Sequence, residues 1–454
     1  MASPGAEAAG FQSSFDRRLN KSKMKSFVYY AGRKVEFDIP RDWEVLYGKE
    51  IAAAKPCADP LTEVRRSLDH PIGAPRLEEL ASRASRAAVL FDDLTRPTPA
   101  SLVFTEVLAR LNRGGIPDSR ITAVCATGTH MPPDEAGLKQ KIGEEAYQRL
   151  SPRVVCHDAT SRENVPIGRT TRGALIEINP FVAEADLVVG VGSCFPHSWA
   201  GFGGGSKIVM PGVCGIQSIA SHHLAWLRNP HTHSGITQGN LFYEESNEVA
   251  RMAGMKYKID FLLNFRGEVI QVFSGDVVEE HREAGERCLQ ITAADIPRKV
   301  DVTISAAYPL EKGNQSVKAL STAASVTKPG GQIIWVAPQP DRDQLLPFVN
   351  EVGSKKTANE FHRQLVEGHY PEPLRPIGLS FMCTVVETKA YLERFSRIIH
   401  VTDGLDRSHV ESMRMTPART VQEAVELARE KMPRGDVVVF TYGGVVLARI
   451  VREP

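Results

Sequence analysis

The sequence predicts an α/β protein made of two α/β domains with mostly parallel sheets and an active site in the cleft between them. Three observations lead there. Short apolar runs at 87–91, 121–126 and 187–191, and later at 301–306, 332–337 and 436–440, read as strands buried on both faces. Stretches of helical spacing separate them, as in 99–113, where Leu102, Val103, Val107, Leu108 and Leu111 share one side. The alternation stops near Ile296-Pro-Arg and then restarts, which sets a boundary. This gives a disordered leader at 1–23, an N-terminal domain at 24–294 and a C-terminal domain at 295–454.

Residues 1–23 are Ala, Gly, Ser and basic residues with little periodicity. Segments 26–30 and 34–39 flank Ala-Gly-Arg and read as a hairpin, and 56–85 reads as Pro-interrupted helix. A charged helix is expected over 133–150, with Asp134 and Glu135 in its first turn, where acids suit the dipole. A short strand follows at 154–156. After 191 come a Gly/Asn/His-rich connector (228–240), a helix over 242–255, a strand pair near 260–273 and a helix over 276–291. The second half adds helices at 315–327, 355–367 and 420–431, and a strand at 398–401.

The richest chemistry lies in 187–226. The apolar run 187–191 turns at once into glycines and a proline, and the C-terminal ends of such strands are where open α/β sheets bind ligands. Gly201, Gly203, Gly204 and Gly205 strip a loop of side chains, which lets backbone N–H groups approach an anion. Lys207 stands directly behind them, with His197 ten positions before it and His223 sixteen after. The loop is neither a Walker A motif, since Ser206 precedes the lysine and Ile208 follows it, nor a dinucleotide fingerprint, which lacks its third glycine here.

Three further segments sit just past strands. Asp93-Leu-Thr-Arg96 offers a guanidinium that grips a carboxylate by paired N–H bonds, with Asp93 to orient it or to meet a hydroxyl. The same residues also read as a capping turn before a helix. His130, after Thr127-Gly-Thr, is an acid/base candidate near neutral pH, or a structural histidine. Gln315 and Lys318 share a helix face that either looks across the cleft or forms a solvated first turn.

Composition narrows the classes. A net charge of +1 gives no field for nucleic acid or an anionic membrane, and no apolar run approaches the roughly 18 residues of a membrane span. Seven scattered cysteines without a Cys-x-x-Cys pair fit reduced thiols in a cytoplasmic protein, so a metal would need histidine or a bound cofactor. Oligomeric state is not readable from these features.

The pattern carried by Pro196, His197, Ala200, Gly201, Phe202, Gly204, Gly205, Lys207, Pro211 and Gly212 resembles the nickel-dependent lactate racemase family, and the likeness extends over nearly all the chain after about residue 25. The resemblance implies nickel in a nickel-pincer nucleotide, a pyridinium-3-thioamide-5-thiocarboxylic acid mononucleotide joined covalently to Lys207. It implies His223, rather than neighbouring His222, as the protein's nickel ligand. It implies His130 and His197 as the two acid/base histidines, with pKa values near neutrality. It further implies Asp93, Gly203, Gly204 and Gly205 around the cofactor, and Arg96, Gln315 and Lys318 on the substrate. The implied reaction is inversion at C2 of a 2-hydroxy acid by proton-coupled hydride transfer through a planar 2-keto acid. The implied partners are that acid and the enzymes that make the cofactor. Asn314 stands where lactate-specific members carry an aromatic residue, which favours a larger or more polar acid, such as malate or an aldonic acid. Malate would need a further cation, for which Lys312 and Arg228 are candidates. Two other readings stay open: a sugar-acid epimerase or keto-sugar redox enzyme using the same cofactor, and a cofactor-binding protein without turnover.

Overall fold

A computed structural model describes residues 24–48, 54–371 and 374–451, leaving aside the side chains of 374–377. The leader read at 1–23 lies outside the described residues. Two six-stranded sheets dominate the chain. The first runs in the order Val269–Gly275, Met255–Leu263, Leu187–Cys194, Ala87–Asp92, Ile121–Ala126, Val154–Cys156. All its pairings are parallel except the edge pair Met255–Leu263 with Val269–Gly275. The second runs Thr416–Ala418, Arg397–Val401, Thr327–Val336, Val300–Ala306, Gly435–Phe440, Trp43–Tyr47, parallel throughout.

The apolar runs make central strands because helices cover both sheet faces. Leu187–Cys194 is buried at every position. The helix Ser101–Arg113 packs Val103, Phe104, Val107, Leu108 and Leu111 into one core with Val89 and Phe91. A larger core lies on the other face and continues into the second unit through Trp335, Phe348, Phe361 and Met382. Strands thus alternate with helices as the hydrophobic pattern implies.

Several expectations need correcting. The first domain was read as starting at 24, but the hairpin Met24–Tyr30 with Arg33–Ile39 packs into the second sheet's core, through Val28, Phe37 and Ile39 against Val302, Val437 and Val439. Trp43–Tyr47 then hydrogen-bonds in parallel beside Gly435–Phe440, so residues 24–47 belong with the second sheet. The helix read over 133–150 is two, Glu135–Ile142 and Glu144–Leu150, broken where Gly143 takes φ +87°. Helices Pro180–Ala183, Ile216–Trp226, Arg342–Gly353, Leu374–Arg394 and Arg407–Ser412 escaped the sequence reading.

Each sheet reverses its strand order at one place. In the first, the chain leaves Ala87–Asp92 toward Ile121–Ala126 and later returns on the other side with Leu187–Cys194. In the second, Val300–Ala306 is flanked by Thr327–Val336 on one side and Gly435–Phe440 on the other. The segments leaving these strand ends carry Asp93–Arg96, Phe195–His197 and Gln315–Lys318, and such switch points are where an open α/β sheet forms a crevice.

Candidate active site

A cleft enclosing about 830 Å³ is lined by Asp93, Arg96, His130, His197, Gly203, Gly204, Lys207 and His223. It opens into a second space of about 450 Å³, which shares Arg96, His130, His197 and Trp199 and adds Gln315 and Lys318 from the second unit. Of the catalytic, cofactor, substrate and metal candidates, all but Gly205 border one of the two spaces.

His130 is held by an Asx turn. Asp93 accepts from the Thr95 N–H at 2.7 Å and from the Thr95 hydroxyl through one oxygen, and His130 Nδ1 donates to the other at 2.8 Å. Burial alone would raise the Asp93 pKa. The bond to His130, the charge of Arg96 and the Thr95 bond outweigh it and hold the carboxyl well below its usual range. Asp93 was expected at the cofactor; its carboxylate instead orients His130. The imidazole's Nε2 lone pair is thereby left free. Buried Lys141 anchors the turn from below, with Nζ 2.6 Å from Asp92 Oδ1 and 3.0 Å from the carbonyls of Asp93 and Arg96.

His197 is prepared differently. Its Nδ1 accepts from the Trp199 and Ala200 N–H groups at 3.2 and 3.3 Å, so the neutral ring carries its proton on Nε2. Burial first, and then the charges of Lys207, Lys318, Arg96 and His223, hold its pKa well below the ordinary imidazole value. The expectation of a pKa near neutrality for His197 is therefore corrected.

The adjacent histidines His222 and His223 separate by hydrogen bonding. His223 Nδ1 faces the Ile219 carbonyl at 3.1 Å, which makes it the donor and bares Nε2. His223 lines the cleft, whereas His222 does not. His222 gives its Nε2–H to the Phe242 carbonyl at 2.9 Å and turns Nδ1 to His223. A neutral imidazole with its far nitrogen donating to a carbonyl is the form a metal ligand takes. Among the described residues, no group of three or more His, Cys, Asp or Glu side chains is placed to hold a metal ion. Any metal at His223 would thus draw its remaining ligands from a bound cofactor.

The glycine loop corrects one expectation. Its amides were to approach an anion, yet Gly203 N–H donates to the Phe195 carbonyl at 2.7 Å and Gly205 N–H to Asp260 at 2.7 Å. A Cβ on Gly203 would lie 2.6 Å from the Phe195 ring, on Gly204 2.6 Å from Asp260, and on Gly205 2.7 Å from the His281 ring. The glycines therefore serve close packing over a buried layer of Lys258, Asp260, Glu280 and His281.

That packing leaves Lys207 in the cleft. Its ammonium lies 5.1 Å from the Phe242 ring centroid and forms no ion pair among the described residues. Burial and the Arg96 charge push its pKa down to about 7, so the amine is nucleophilic near neutral pH. Arg96 and Lys318 approach one ring, that of Phe195, from the two units at 5.8 and 4.8 Å. Neither pairs with a carboxylate among the described residues, which leaves both for an anionic ligand. Gln315 Oε1 is buried without a partner.

The sequence reading missed Lys141, Trp199 and Glu387. Trp199 packs edge-on against His197 and His223, at centroid distances of 5.7 and 5.8 Å, and its indole donates to Glu387 Oε1 at 2.8 Å. The signal for Glu387 was an acid directly after the apolar pair Val385-Val386. Of the candidates for malate, Lys312 is exposed and borders neither space, and Arg228 bonds Asn359 in an outer groove.

Comparison with known proteins agrees with this architecture. The lactate racemase N-terminal domain matches residues 30–235 and the lactate racemase C-terminal domain matches 293–448, most of the chain between them. The chain belongs to the lactate racemase family. Membership makes it an isomerase. It is 26% identical to a lactate racemase of Thermoanaerobacterium thermosaccharolyticum, over 94% of this chain and 99% of that protein. It is 29% identical to a lactate racemase of Lactiplantibacillus plantarum, over 85% and 91%. Its fold matches the lactate racemase apoprotein of T. thermosaccharolyticum with a TM-score of 0.82 at 24% identity, covering 94% of this chain and 100% of that one. A crystal structure of a Thermotoga maritima protein aligns with a TM-score of 0.59 at 19% identity, covering 84% and 100%.

Proposed function

We propose that this family member racemises or epimerises a 2-hydroxy acid at C2, using a nickel-pincer nucleotide attached through Lys207. Two relatives named lactate racemase support the coarse activity. The observation that carries the finer reading is that His223 bares Nε2 into the cleft that holds the unpaired Lys207 amine. One nitrogen ligand and one nucleophilic amine, with no three-residue metal group among the described residues, suit a cofactor that brings the other nickel ligands. When bound, that cofactor supplies a reversible hydride acceptor, through which C2 becomes a planar keto carbon.

The chain's own residues do the rest. Arg96 and Lys318 hold the substrate carboxylate, so that reorientation moves chiefly the C2 carbonyl. His130 takes the hydroxyl proton on Nε2, and Asp93 stabilises the imidazolium that forms. His197 serves the opposite configuration, and to take a proton there its Nδ1 must first leave the Trp199 and Ala200 N–H groups so that the ring can bare Nε2. Phe195 and Trp199 wall the centre from water. Gln315 meets the substrate's polar atoms through its unpartnered oxygen. The acid is larger than lactate, malate or an aldonic acid being the candidates. Seven free thiols, and the lack among the described residues of any helix long and apolar enough to cross a membrane, favour a cytoplasmic setting.

Protein from a host that makes the cofactor should show a mass adduct on Lys207 and bound nickel, and should invert C2 in a chiral assay. Lys207→Ala should lose all three. Full racemisation by Lys207→Ala without nickel would overturn the reading.

A further inference from the structure

The substrate's tail is not fixed by the reacting centre. Beyond it, the 450 Å³ space is lined by Ser198, Asn314, Gln315, Ser321, Thr384 and Glu387. Val317 and Trp199 add apolar surface to this wall and Arg96 and Lys318 carry positive charge, while the side chains just named supply hydroxyl, amide and carboxyl groups. Glu387 borders this space and the open groove outside, but not the inner cavity, so it marks the outer limit.

The wall is rich in acceptors that lack donors. Trp199 donates to one oxygen of Glu387, and among the described residues no protein group donates to the other. Thr384 gives its hydroxyl proton to the Phe381 carbonyl at 2.7 Å, which leaves its lone pairs. Gln315 Oε1 is buried and unpartnered. Ser321 accepts from the Tyr391 hydroxyl at 3.1 Å and keeps its own proton to give. An unmet buried acceptor costs about 1–3 kcal/mol, so a ligand that fits here brings donors.

Tails differ on that count. The methyl of lactate brings no donor. The second carboxylate of malate brings none either, and it meets the Glu387 carboxyl with no spare cation, since Arg96 and Lys318 are engaged by the first carboxylate. Hydroxyl groups both donate and accept, which suits Glu387, Gln315, Thr384 and Ser321 together. Burial pushes the Glu387 pKa up to about 7 against the opposing Trp199 bond, so near neutral pH this group both accepts and donates.

We propose that Glu387, with Gln315 and Thr384, forms a specificity subsite for the hydroxylated tail of an aldonate of four or more carbons, selected over lactate and malate. The inference rests on the reading of the chain as a C2 racemase or epimerase.

Erythronate tests it, because it has malate's chain length with hydroxyls in place of the second carboxylate, and its C2 epimer, threonate, is a separable diastereomer. Cofactor-loaded enzyme should convert erythronate to threonate with a kcat/KM at least about tenfold above that for malate or lactate. Glu387→Gln keeps an acceptor for Trp199 and removes the charge. It should raise KM for erythronate and lower the erythronate-to-malate ratio of kcat/KM by at least about tenfold. A preference for lactate or malate, or an unchanged ratio in Glu387→Gln, would overturn the subsite. Calorimetry of the three acids with the loaded protein gives a second readout, and erythronate should bind tightest. If no 2-hydroxy acid changes at C2, the activity reading falls, and the calorimetric order still decides the subsite: tightest binding of erythronate upholds it, and any other order overturns it.

Discussion

His130 sits with its side chain 24% exposed, its Nδ1–H tied to the Asp93 carboxylate and its Nε2 free. His197 is 8% exposed, its Nδ1 accepts two backbone N–H groups, and four positive or potentially positive side chains surround it. One imidazole keeps its Nε2 unbonded in the bare protein; the other is buried among charges that oppose its protonation. The cations that hold His197 neutral are the ones a ligand would neutralise. Acylation of Lys207 removes its charge, and a substrate carboxylate offsets Arg96 and Lys318. The second base therefore needs both that neutralisation and release of its Nδ1 from the two backbone N–H groups, whereas the first already has its Nε2 unbonded.

The largest test of this contrast is removal of each ring. In loaded enzyme, His130→Ala and His197→Ala should each lower kcat by about 10²–10⁴-fold in a chiral assay. Near-normal racemisation by His197→Ala would remove the second base from the scheme. Next comes the scaffold on each side. Lys141→Met strips the buried cation under the His130 turn and should cost about 3–5 kcal/mol in urea unfolding. Gly205→Ala strains the loop on the His197 side, where φ is +53° and the new methyl meets His281, and should cost about 1–3 kcal/mol by the same measurement.

The smallest effects are electrostatic. A lysine pKa lowered to about 7 means the amine is neutral above that pH and protonated below it. Acylation of Lys207 by an amine-reactive reagent, followed by peptide mass spectrometry, should rise through a midpoint near pH 7, well before ordinary lysines respond. In Lys207→Met the His197 pKa should move up, because a neighbouring positive charge is gone; histidine NMR titration of the cofactor-free protein measures it. No movement would mean burial alone sets His197.

Much of this was legible in the sequence for a physical reason. Strands buried on both faces leave unbroken apolar runs, as at 87–91, 121–126 and 187–191, and chemistry concentrates where such runs end. His130, His197 and Arg96 all stand just past such ends, and Lys207 follows the glycine loop that leaves one of them. Helix Arg342–Gly353 was hidden because Pro347 interrupts its pattern. Trp43–Tyr47 was hidden because its strand partner among the described residues lies near the other end of the chain, and no local pattern reports such a distance. Lys141 and Glu387 were hidden because they lie inside helices, where an ionisable residue looks like solvated surface until the fold buries it. The glycine loop misled for a related reason: a bare backbone reads as an anion cradle, but the N–H groups of Gly203 and Gly205 are already used by Phe195 and Asp260.

The parallel pairing of Trp43–Tyr47 with Gly435–Phe440 also governs how the molecule assembles. A piece beginning near residue 293 would carry a raw sheet border in place of that seam, so the second unit cannot be finished until the earliest part of the polypeptide returns to it.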